Sequence, residues 1–167
     1  KIGDPSLPDT QIGPISTRPQ FEKILEYIEI AKAEGAKCVL GGKSRPELGA
    51  GLFIEPTIFT GVRNEMRIAQ EEVFGPVLSV IPFTDEADAI RIGNDVVYGL
   101  AAAVWTKSLQ RGMRLTEKLK AGTVWVNCWG ETDAAVPFGG IRQSGYGREM
   151  GREALNLYTQ TKAVWIA

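Results

Sequence analysis

The chain is organised around one stretch of sequence, Gln70-Glu71-Glu72-Val73-Phe74-Gly75-Pro76-Val77. It places two carboxylates side by side, then an aromatic ring, then a Gly-Pro turn that leads into strand-forming residues. Glycine reaches backbone angles that are closed to other residues, and proline restricts its own φ and the residue before it. We therefore expect a strand that begins near Val77, with the acidic pair in the turn just before it. Ligands of open α/β sheets bind at such strand ends.

Two kinds of side chain in this stretch are candidate ligand contacts. An ionised carboxylate only accepts hydrogen bonds, and its two oxygens match the two hydroxyls of a ribose. A neighbouring phenyl ring can cover one face of a planar ligand. The alternative is that Glu71 and Glu72 are solvated or cap a turn, and that Phe74 belongs to the core. The residue types alone leave both interpretations open.

The composition is that of an ordinary globular protein. The 167 residues suffice for one domain with a sizeable core, and hydrophobic and charged fractions of 44% and 23% are typical of that class. The 19 basic and 20 acidic residues are well mixed and give a formal net charge of -1. Because a nucleic-acid-binding surface needs a basic patch, we expect no nucleic-acid partner. No apolar run approaches the length of a membrane span, so we expect no membrane partner.

Two cysteines and the lack of histidine limit the chemistry of the chain. Cys38 and Cys128 lie far apart and without metal-ligand spacing, which predicts free thiols, no metal site and a reducing compartment such as the cytoplasm. Without histidine, Ser-His-Asp and Cys-His catalysis and most zinc sites are excluded within the chain. Cys128 has no neighbouring base, so we expect it to pack rather than to attack a substrate. No catalytic residue is therefore assigned.

Periodicity and capping signals predict strands and helices in alternation. The predicted helices cover residues 19–34, 85–94, 109–120 and 148–158, with Thr84 and Ser108 as N-caps of the second and third. The predicted strands cover residues 38–40, 77–83, 100–105, 123–127 and 162–166. Three strand–helix alternations predict an α/β fold with a parallel sheet and helices on both faces. The long loop at 128–146 follows a strand, where ordered loops tend to form sites.

Several motifs, in the same order as in the family, resemble the aldehyde dehydrogenase superfamily. The stretch around Glu72 resembles its Glu-Glu-x-Phe-Gly-Pro signature. The resemblance continues through Tyr98-Gly99-Leu100-Ala101-Ala102-Ala103-Val104, Ala121-Gly122-Thr123-Val124-Trp125-Val126-Asn127, Pro137-Phe138-Gly139-Gly140 and Ser144-Gly145-Tyr146-Gly147-Arg148-Glu149. It extends upstream to Gly13-Pro14 and Ile54-Glu55-Pro56-Thr57, and so covers essentially the whole chain.

The resemblance implies an enzyme that oxidises an aldehyde to a carboxylate with NAD⁺ or NADP⁺. In that family a cysteine thiolate adds to the aldehyde, hydride passes to the nicotinamide, and a glutamate-activated water hydrolyses the remaining thioester. The family's nucleophile, general base and Rossmann domain match no part of this chain. The resemblance therefore implies a C-terminal portion of the catalytic domain that is inactive by itself.

The resemblance also assigns residues to roles. It implies that Glu72 holds the hydroxyls of the nicotinamide ribose and that Phe74 packs beside that ribose and the nicotinamide. Phe138 would line the aldehyde tunnel, whose substrate end is shaped by the loop residues Trp129, Glu131, Thr132 and Asp133. Residues 1–160 match the catalytic domain, and residues 161–167 match the terminal strand that pairs with a partner subunit in a homo-oligomer.

The charge of the tunnel loop indicates a class of aldehyde. Glu131 and Asp133, with Trp129 beside them, suit a cationic aldehyde through charge and cation–π contact. The loop resembles those of aminoaldehyde, γ-glutamyl-aminobutyraldehyde and betaine aldehyde members of the family. The alternative is that these loop carboxylates are simply solvated. NAD⁺ and NADP⁺ both stay open, as do a dimer and a tetramer.

Two other classes of protein stay open for the chain itself. The chain opens in a turn-rich connector without an initiator methionine, which leads us to expect a piece of a longer enzyme. The first alternative is a stand-alone binding or assembly module that keeps the fold but no catalysis. The second is a structural α/β domain without a ligand, which the presence of Glu72 and Phe74 disfavours.

Overall fold

Strands alternate with helices along the chain, and parallel strand pairs occur in both of its halves, which confirms the predicted α/β class. The computed structural model describes every residue from Lys1 to Ala167. The residues divide into two units, which we name unit 1 (Lys1–Pro82) and unit 2 (Phe83–Ala167). None of the helices is both long and apolar enough to cross a membrane.

The core of unit 1 is built on helix α1 (Arg18–Ala33), close to the predicted bounds of 19–34. The Thr17 hydroxyl accepts a hydrogen bond from the Gln20 backbone N–H, and Gly35, with a φ of +95°, follows the end of the helix. The buried residues of the helix recur at helical spacing and are Ile24, Tyr27, Ile28 and Ala31. They share one apolar cluster with Phe59 of the neighbouring sheet.

Unit 1 contains one three-stranded sheet. Its strands, in the order of the sheet, are β1 (Lys37–Leu40), β2 (Thr57–Thr60) and β3 (Val77–Ser79). Strands β2 and β3 are parallel, whereas β1 runs antiparallel to β2, which the sequence did not predict. The segment between β1 and β2 has only a short 3₁₀-helix, Pro46–Leu48. Parallel pairing usually requires a helical crossover, so this connection suits an antiparallel return.

Strand β3 follows a single turn of helix, α2 (Arg67–Gln70). It begins at Val77 as predicted but ends at Ser79, short of the predicted residue 83. Its partner strand ends at Thr60, so later residues have no ladder to join. Pro82 also lacks the N–H that a longer strand would need.

Unit 2 contains a two-stranded parallel sheet and two helices. Its elements are α3 (Glu86–Asn94), β4 (Ala101–Val104), α4 (Leu109–Lys118) and β5 (Thr123–Val126), followed by a 3₁₀-helix at Arg142–Ser144. Helix α4 begins after Ser108, whose hydroxyl accepts from the Arg111 N–H at 3.2 Å, as predicted. The predicted cap of α3 was wrong by one residue, because the Asp85 carboxylate accepts from the Asp88 N–H at 2.8 Å. Thr84 donates instead to the Asp88 carboxylate.

The helix predicted at residues 148–158 was wrong in type and extent. A 3₁₀-helix covers only Arg152–Leu157. Met150 and Gly151 precede it with φ of +60° and +59°, values that a right-handed helix does not contain. Residues 162–166 form no strand within the chain. Because the predicted strand would pair with a second copy, it stays a prediction.

Candidate functional site

The acidic pair lies in the turn that leads from α2 to β3 in unit 1. The unusual backbone of this turn falls on Phe74, which has a left-handed φ of +54°. Gly75 has no positive φ, and a Cβ placed on it would lie 2.6 Å from Ile24 Cδ1. A real Cβ does not approach another atom so closely. Glycine is therefore needed here because α1 passes close by, and not for its backbone freedom.

Glu71 is held by side chains from two helices. The Arg67 guanidinium donates to both carboxylate oxygens, from Nε at 3.0 Å and from Nη2 at 2.9 Å. The Tyr27 hydroxyl, on α1, donates to Glu71 Oε2. The guanidinium, and secondly the tyrosine hydroxyl, lower the pKa of Glu71 from its ordinary 4.5 to about 2. Glu71 is thus an ionised structural anchor with few lone pairs left for a ligand.

Glu72 and Phe74 are placed differently. The Glu72 carboxylate is exposed and makes no hydrogen bond or ion pair within the chain, although its backbone carbonyl accepts from Lys23 Nζ at 3.4 Å. The Phe74 ring is 69% exposed, so the interpretation as a core residue was wrong for this chain. The structure thereby separates two carboxylates that their residue type left equivalent. Glu72 and Phe74 are the two side chains of this turn that are open to a ligand.

Gln20, which was not among the predicted site residues, holds the same turn from α1. Its Nε2 donates to the carbonyls of Val73 and Phe74, at 2.7 and 2.9 Å. These two bonds fix the backbone on either side of the left-handed residue. The one available signal was spacing, because Gln20, Ile24 and Tyr27 are four and three residues apart and share a helix face.

In unit 2, four of the five predicted substrate residues line one cavity of about 400 Å³ beside β5. These four residues are Glu131, Thr132, Asp133 and Phe138. Trp125, on β5, forms part of the wall. Trp129 does not line the cavity, but its ring packs against that of Trp125 with centroids 4.9 Å apart and an interplanar angle of 58°. Four of the predicted residues are therefore brought together around a space of ligand size, and Trp129 packs against its wall.

The two loop carboxylates have different surroundings. Asp133 Oδ1 accepts from the Ala135 N–H at 2.7 Å, so this carboxylate closes a local turn. Glu131 is exposed, and its carboxylate makes no hydrogen bond or ion pair within the chain. Only its backbone is fixed, because the Trp125 indole N–H donates to the Glu131 carbonyl at 2.8 Å. Of the two carboxylates, Glu131 is the free one at this cavity.

Asn127 starts the loop at the end of β5, and the sequence reasoning gave it no role beyond the strand. It has a left-handed φ of +59°, a conformation that asparagine tolerates better than most residues. Its amide accepts from the Thr106 N–H at 2.8 Å and donates to the Thr106 carbonyl at 2.9 Å. Both bonds tie the exit of β5 to the exit of β4, and so set where the loop begins.

A second cavity of about 540 Å³ in unit 2 was not predicted. Helices α3 and α4 and strand β4 enclose it, with Phe83, Ile90, Trp105 and Leu115 in its wall. Its polar edge includes Glu86, which pairs with arginines of α4 and is thereby occupied within the chain. None of the predicted site residues lies in this cavity.

Comparisons with known proteins agree on one family. The model of the "Aldehyde dehydrogenase family" matches residues 1–164. A putative aldehyde dehydrogenase, DhaS, from Bacillus subtilis is 51% identical over 158 residues, which are 95% of this chain and 32% of that protein. A betaine aldehyde dehydrogenase from Brucella anthropi is 50% identical over an alignment of 169 positions, gaps included, which covers 99% of this chain and 34% of that protein.

Solved structures give the same result. The betaine aldehyde dehydrogenase of Staphylococcus aureus in complex with NAD⁺ has a TM-score of 0.92 and 47% identity, and the match covers 95% of this chain and 32% of that one. An indole-3-acetaldehyde dehydrogenase complexed with NAD⁺ has a TM-score of 0.95 and 47% identity, with coverages of 99% and 34%. The chain thus spans about a third of the length of these relatives.

Proposed function

The chain belongs to the aldehyde dehydrogenase family, and from that premise we propose that it is the part of an NAD⁺-dependent aldehyde dehydrogenase that holds the nicotinamide ribose and shapes the aldehyde site. The family assignment confirms the resemblance that the motifs predicted. The observation that carries the proposal is the contrast within the acidic pair. Glu71 is bound on both oxygens, whereas Glu72 beside it is exposed and unbound.

The free side chains of the turn in unit 1 suit a nicotinamide ribose. A free carboxylate can accept hydrogen bonds from both ribose hydroxyls, and Glu72 is the free one. Phe74 presents an exposed ring two residues further on, which can cover the ribose and nicotinamide. When bound, the nicotinamide supplies the hydride acceptor for aldehyde oxidation. Glu72 and Phe74 contribute binding and orientation, which set the distance over which hydride moves.

NAD⁺ is the cofactor that we propose. The betaine aldehyde dehydrogenase of Staphylococcus aureus and the indole-3-acetaldehyde dehydrogenase, both 47% identical to this chain, were solved as complexes with NAD⁺. The ribose hydroxyls that Glu72 would hold belong to the nicotinamide half, which NAD⁺ and NADP⁺ share. The choice between the two cofactors therefore rests on the relatives and not on Glu72.

A cationic aldehyde is the substrate class that the loop of unit 2 supports best. Glu131 supplies an uncompensated carboxylate at the cavity, and the packed rings of Trp125 and Trp129 supply aromatic surface next to it. Phe138 adds an apolar wall. The Brucella anthropi relative is named a betaine aldehyde dehydrogenase, and betaine aldehyde is a cation, which supports the proposal. The aromatic wall alone would equally suit a neutral aromatic aldehyde, which is the second candidate.

Assembly and compartment belong to the same proposal. We propose a homo-oligomer in which residues 161–167 pair with a partner subunit, because Val164, Trp165 and Ile166 are 71%, 95% and 92% exposed. A reducing compartment such as the cytoplasm is consistent with Cys38 and Cys128 as free thiols.

The test of the proposal is Glu72→Gln in the intact enzyme. The amide keeps the size of the side chain but offers one acceptor oxygen instead of two and carries no charge. NAD⁺ binding should therefore weaken and hydride transfer should slow, while addition of the nucleophile to the aldehyde, which precedes hydride transfer, stays possible. Glu65→Gln, an exposed glutamate of the same unit, is the matched control. Unchanged NAD⁺ affinity and unchanged rates at every step would overturn the role of Glu72.

The mass of the natural gene product distinguishes two hypotheses, that the chain is part of a longer enzyme and that it is a stand-alone binding or assembly module. The chain covers 32–34% of its relatives, so we expect a product about three times as long. A natural product that begins near Lys1 would favour the module that binds or assembles without catalysis.

A further inference from the structure

Three side chains, those of Tyr27, Arg67 and Glu71, form a closed network next to the free carboxylate, and the proposed function gives none of them a contact with NAD⁺. Tyr27 is buried at 7% exposure, and its hydroxyl reaches Glu71 across 44 positions of sequence. Arg67 binds both oxygens of Glu71, and its guanidinium carbon lies 5.3 Å from the centroid of the Tyr27 ring. Each member therefore contacts the other two, through hydrogen bonds or cation–π contact.

The network is tied to the rest of unit 1 at both ends. The backbone N–H of Arg67 donates to Glu34 Oε2 at 2.9 Å, which joins the start of α2 to the end of α1. Tyr27 lies on the same face of α1 as Ile24, against which Gly75 packs. Helix α1 thus contacts the segment from Glu71 to Gly75 at both ends, through Tyr27 at Glu71 and through Ile24 at Gly75.

The backbone is extended at Glu71, the first residue of this segment, with φ of -115° and ψ of 147°. In extended backbone, successive side chains point to opposite sides. When Glu71 is drawn towards Tyr27 and Arg67, alternation places Glu72 on the opposite side, and the exposure of Glu72 agrees with this. Fixing the first carboxylate therefore fixes the direction of the second.

We infer that Tyr27 and Arg67 act through Glu71 as positioning residues, which hold Glu72 and Phe74 in the arrangement that receives the nicotinamide ribose. This inference rests on the proposed role of Glu72. The physical benefit is pre-organisation, because a turn that is already ordered loses less conformational entropy when the cofactor binds.

The network also reduces the electrostatic repulsion between the two adjacent carboxylates. Two adjacent ionised carboxylates repel each other, and this repulsion would disfavour a fixed geometry. Arg67 pairs with Glu71 and offsets its charge, so the repulsion between Glu71 and Glu72 is reduced. The pKa of Glu71, lowered to about 2 by Arg67 and Tyr27, keeps this arrangement unchanged throughout the neutral range of pH.

The experiment compares Tyr27→Phe, Arg67→Lys and Glu72→Gln in the intact enzyme, with NAD⁺ as the probe. Tyr158→Phe, at an 87% exposed tyrosine, and Arg63→Lys, at an exposed arginine, are the matched controls. We expect Tyr27→Phe to raise the dissociation constant of NAD⁺ by about tenfold, the size of one charge-assisted hydrogen bond. Hydrogen exchange at the amides of residues 72–74 should accelerate without cofactor, whereas both controls behave as the parent enzyme.

A double variant separates positioning from general stability. In the Glu72→Gln background, Tyr27→Phe should add little further loss of NAD⁺ affinity, because the group that it positions is already impaired. If Glu72→Gln weakens NAD⁺ binding but Tyr27→Phe changes neither NAD⁺ affinity nor hydrogen exchange at residues 72–74, the positioning role is overturned while the proposed role of Glu72 stands. Additive losses, or a lower melting temperature as the sole effect of Tyr27→Phe, would also overturn the positioning role. Unchanged NAD⁺ affinity in Glu72→Gln would overturn the proposed role of Glu72 and, with it, the positioning role.

Discussion

Arg67 holds both carboxylate oxygens of Glu71, at 3.0 and 2.9 Å, one turn of helix further along the chain. The pair is half-exposed, with 48% and 40% of the two side chains open to solvent, so its charge attraction is screened. Its value lies in geometry, because a bidentate fork fixes the direction of a side chain as well as its distance. The carboxylate that follows in the sequence is left free.

The first prediction concerns acid stability. Because the folded pKa of Glu71 lies at about 2, below its ordinary 4.5, its contribution to stability is complete above about pH 4.5 and is lost as the pH falls towards 2. Between pH 4.5 and pH 2, the free energy of unfolding measured with urea should fall more steeply with decreasing pH in the parent protein than in the Glu71→Gln variant. The exposed Glu22→Gln serves as the control. Identical pH profiles for the parent and Glu71→Gln would contradict the anchored state of this carboxylate.

The second prediction concerns the close approach of α1 to the turn. Gly75→Ala would place a methyl group 2.6 Å from Cδ1 of Ile24, a fully buried side chain that has little room to move. We expect a loss of about 1–3 kcal/mol of unfolding free energy, measured by thermal or urea denaturation. Gly13→Ala is the matched control, because its Cβ would meet Pro5 at an ordinary 3.6 Å. Equal stabilities of the two variants would show that the turn is not packed this closely.

The third prediction separates the two loop carboxylates. Glu131→Gln should raise KM for a cationic aldehyde by about two- to fivefold and leave KM for a neutral aldehyde unchanged, because an exposed charge pair contributes up to ~1 kcal/mol. Asp133→Asn should discriminate less between the two substrates, since its carboxylate already accepts from the Ala135 N–H. The measurement is steady-state kinetics with a matched pair of aldehydes. Equal effects of Glu131→Gln on both substrates would contradict selection by charge.

The fourth prediction concerns assembly through the end of the chain. Val164→Asp with Ile166→Asp places two charges on alternate positions of the predicted pairing strand and should shift the intact enzyme towards smaller species. Analytical ultracentrifugation measures this shift directly. Leu7→Asp, at a 49% exposed leucine in the N-terminal loop, is the control. An unchanged sedimentation coefficient in the double variant would remove residues 161–167 from the oligomer interface.

Local signals predicted most of the secondary structure. The apolar stripe of α1, the Ser108 cap of α4 and the start of β3 at Val77 all depend on residues within a few positions of one another. The failures have non-local or competing causes. The cap of α3 moved because Thr84 and Asp85 are both good capping residues, and Asp85 takes the N–H of Asp88. The prediction of a helix at 148–158 failed because Met150 and Gly151 both have a positive φ, which the apolar spacing of this segment does not reveal.

The candidate site divides in the same way. The sequence by itself determined the α/β class, the family and the identity of the candidate residues, because motifs and periodicity are properties of neighbours along the chain. Only the tertiary structure decided that the Glu71 carboxylate is anchored from two helices, because its Arg67 partner lies at the local i,i+4 spacing but its Tyr27 partner does not. That outcome depends on a tyrosine 44 residues before Glu71, whose hydroxyl reaches this carboxylate only once α1 has packed against the turn. Contacts between residues distant in sequence distinguish chemically identical side chains, and no local pattern contains them.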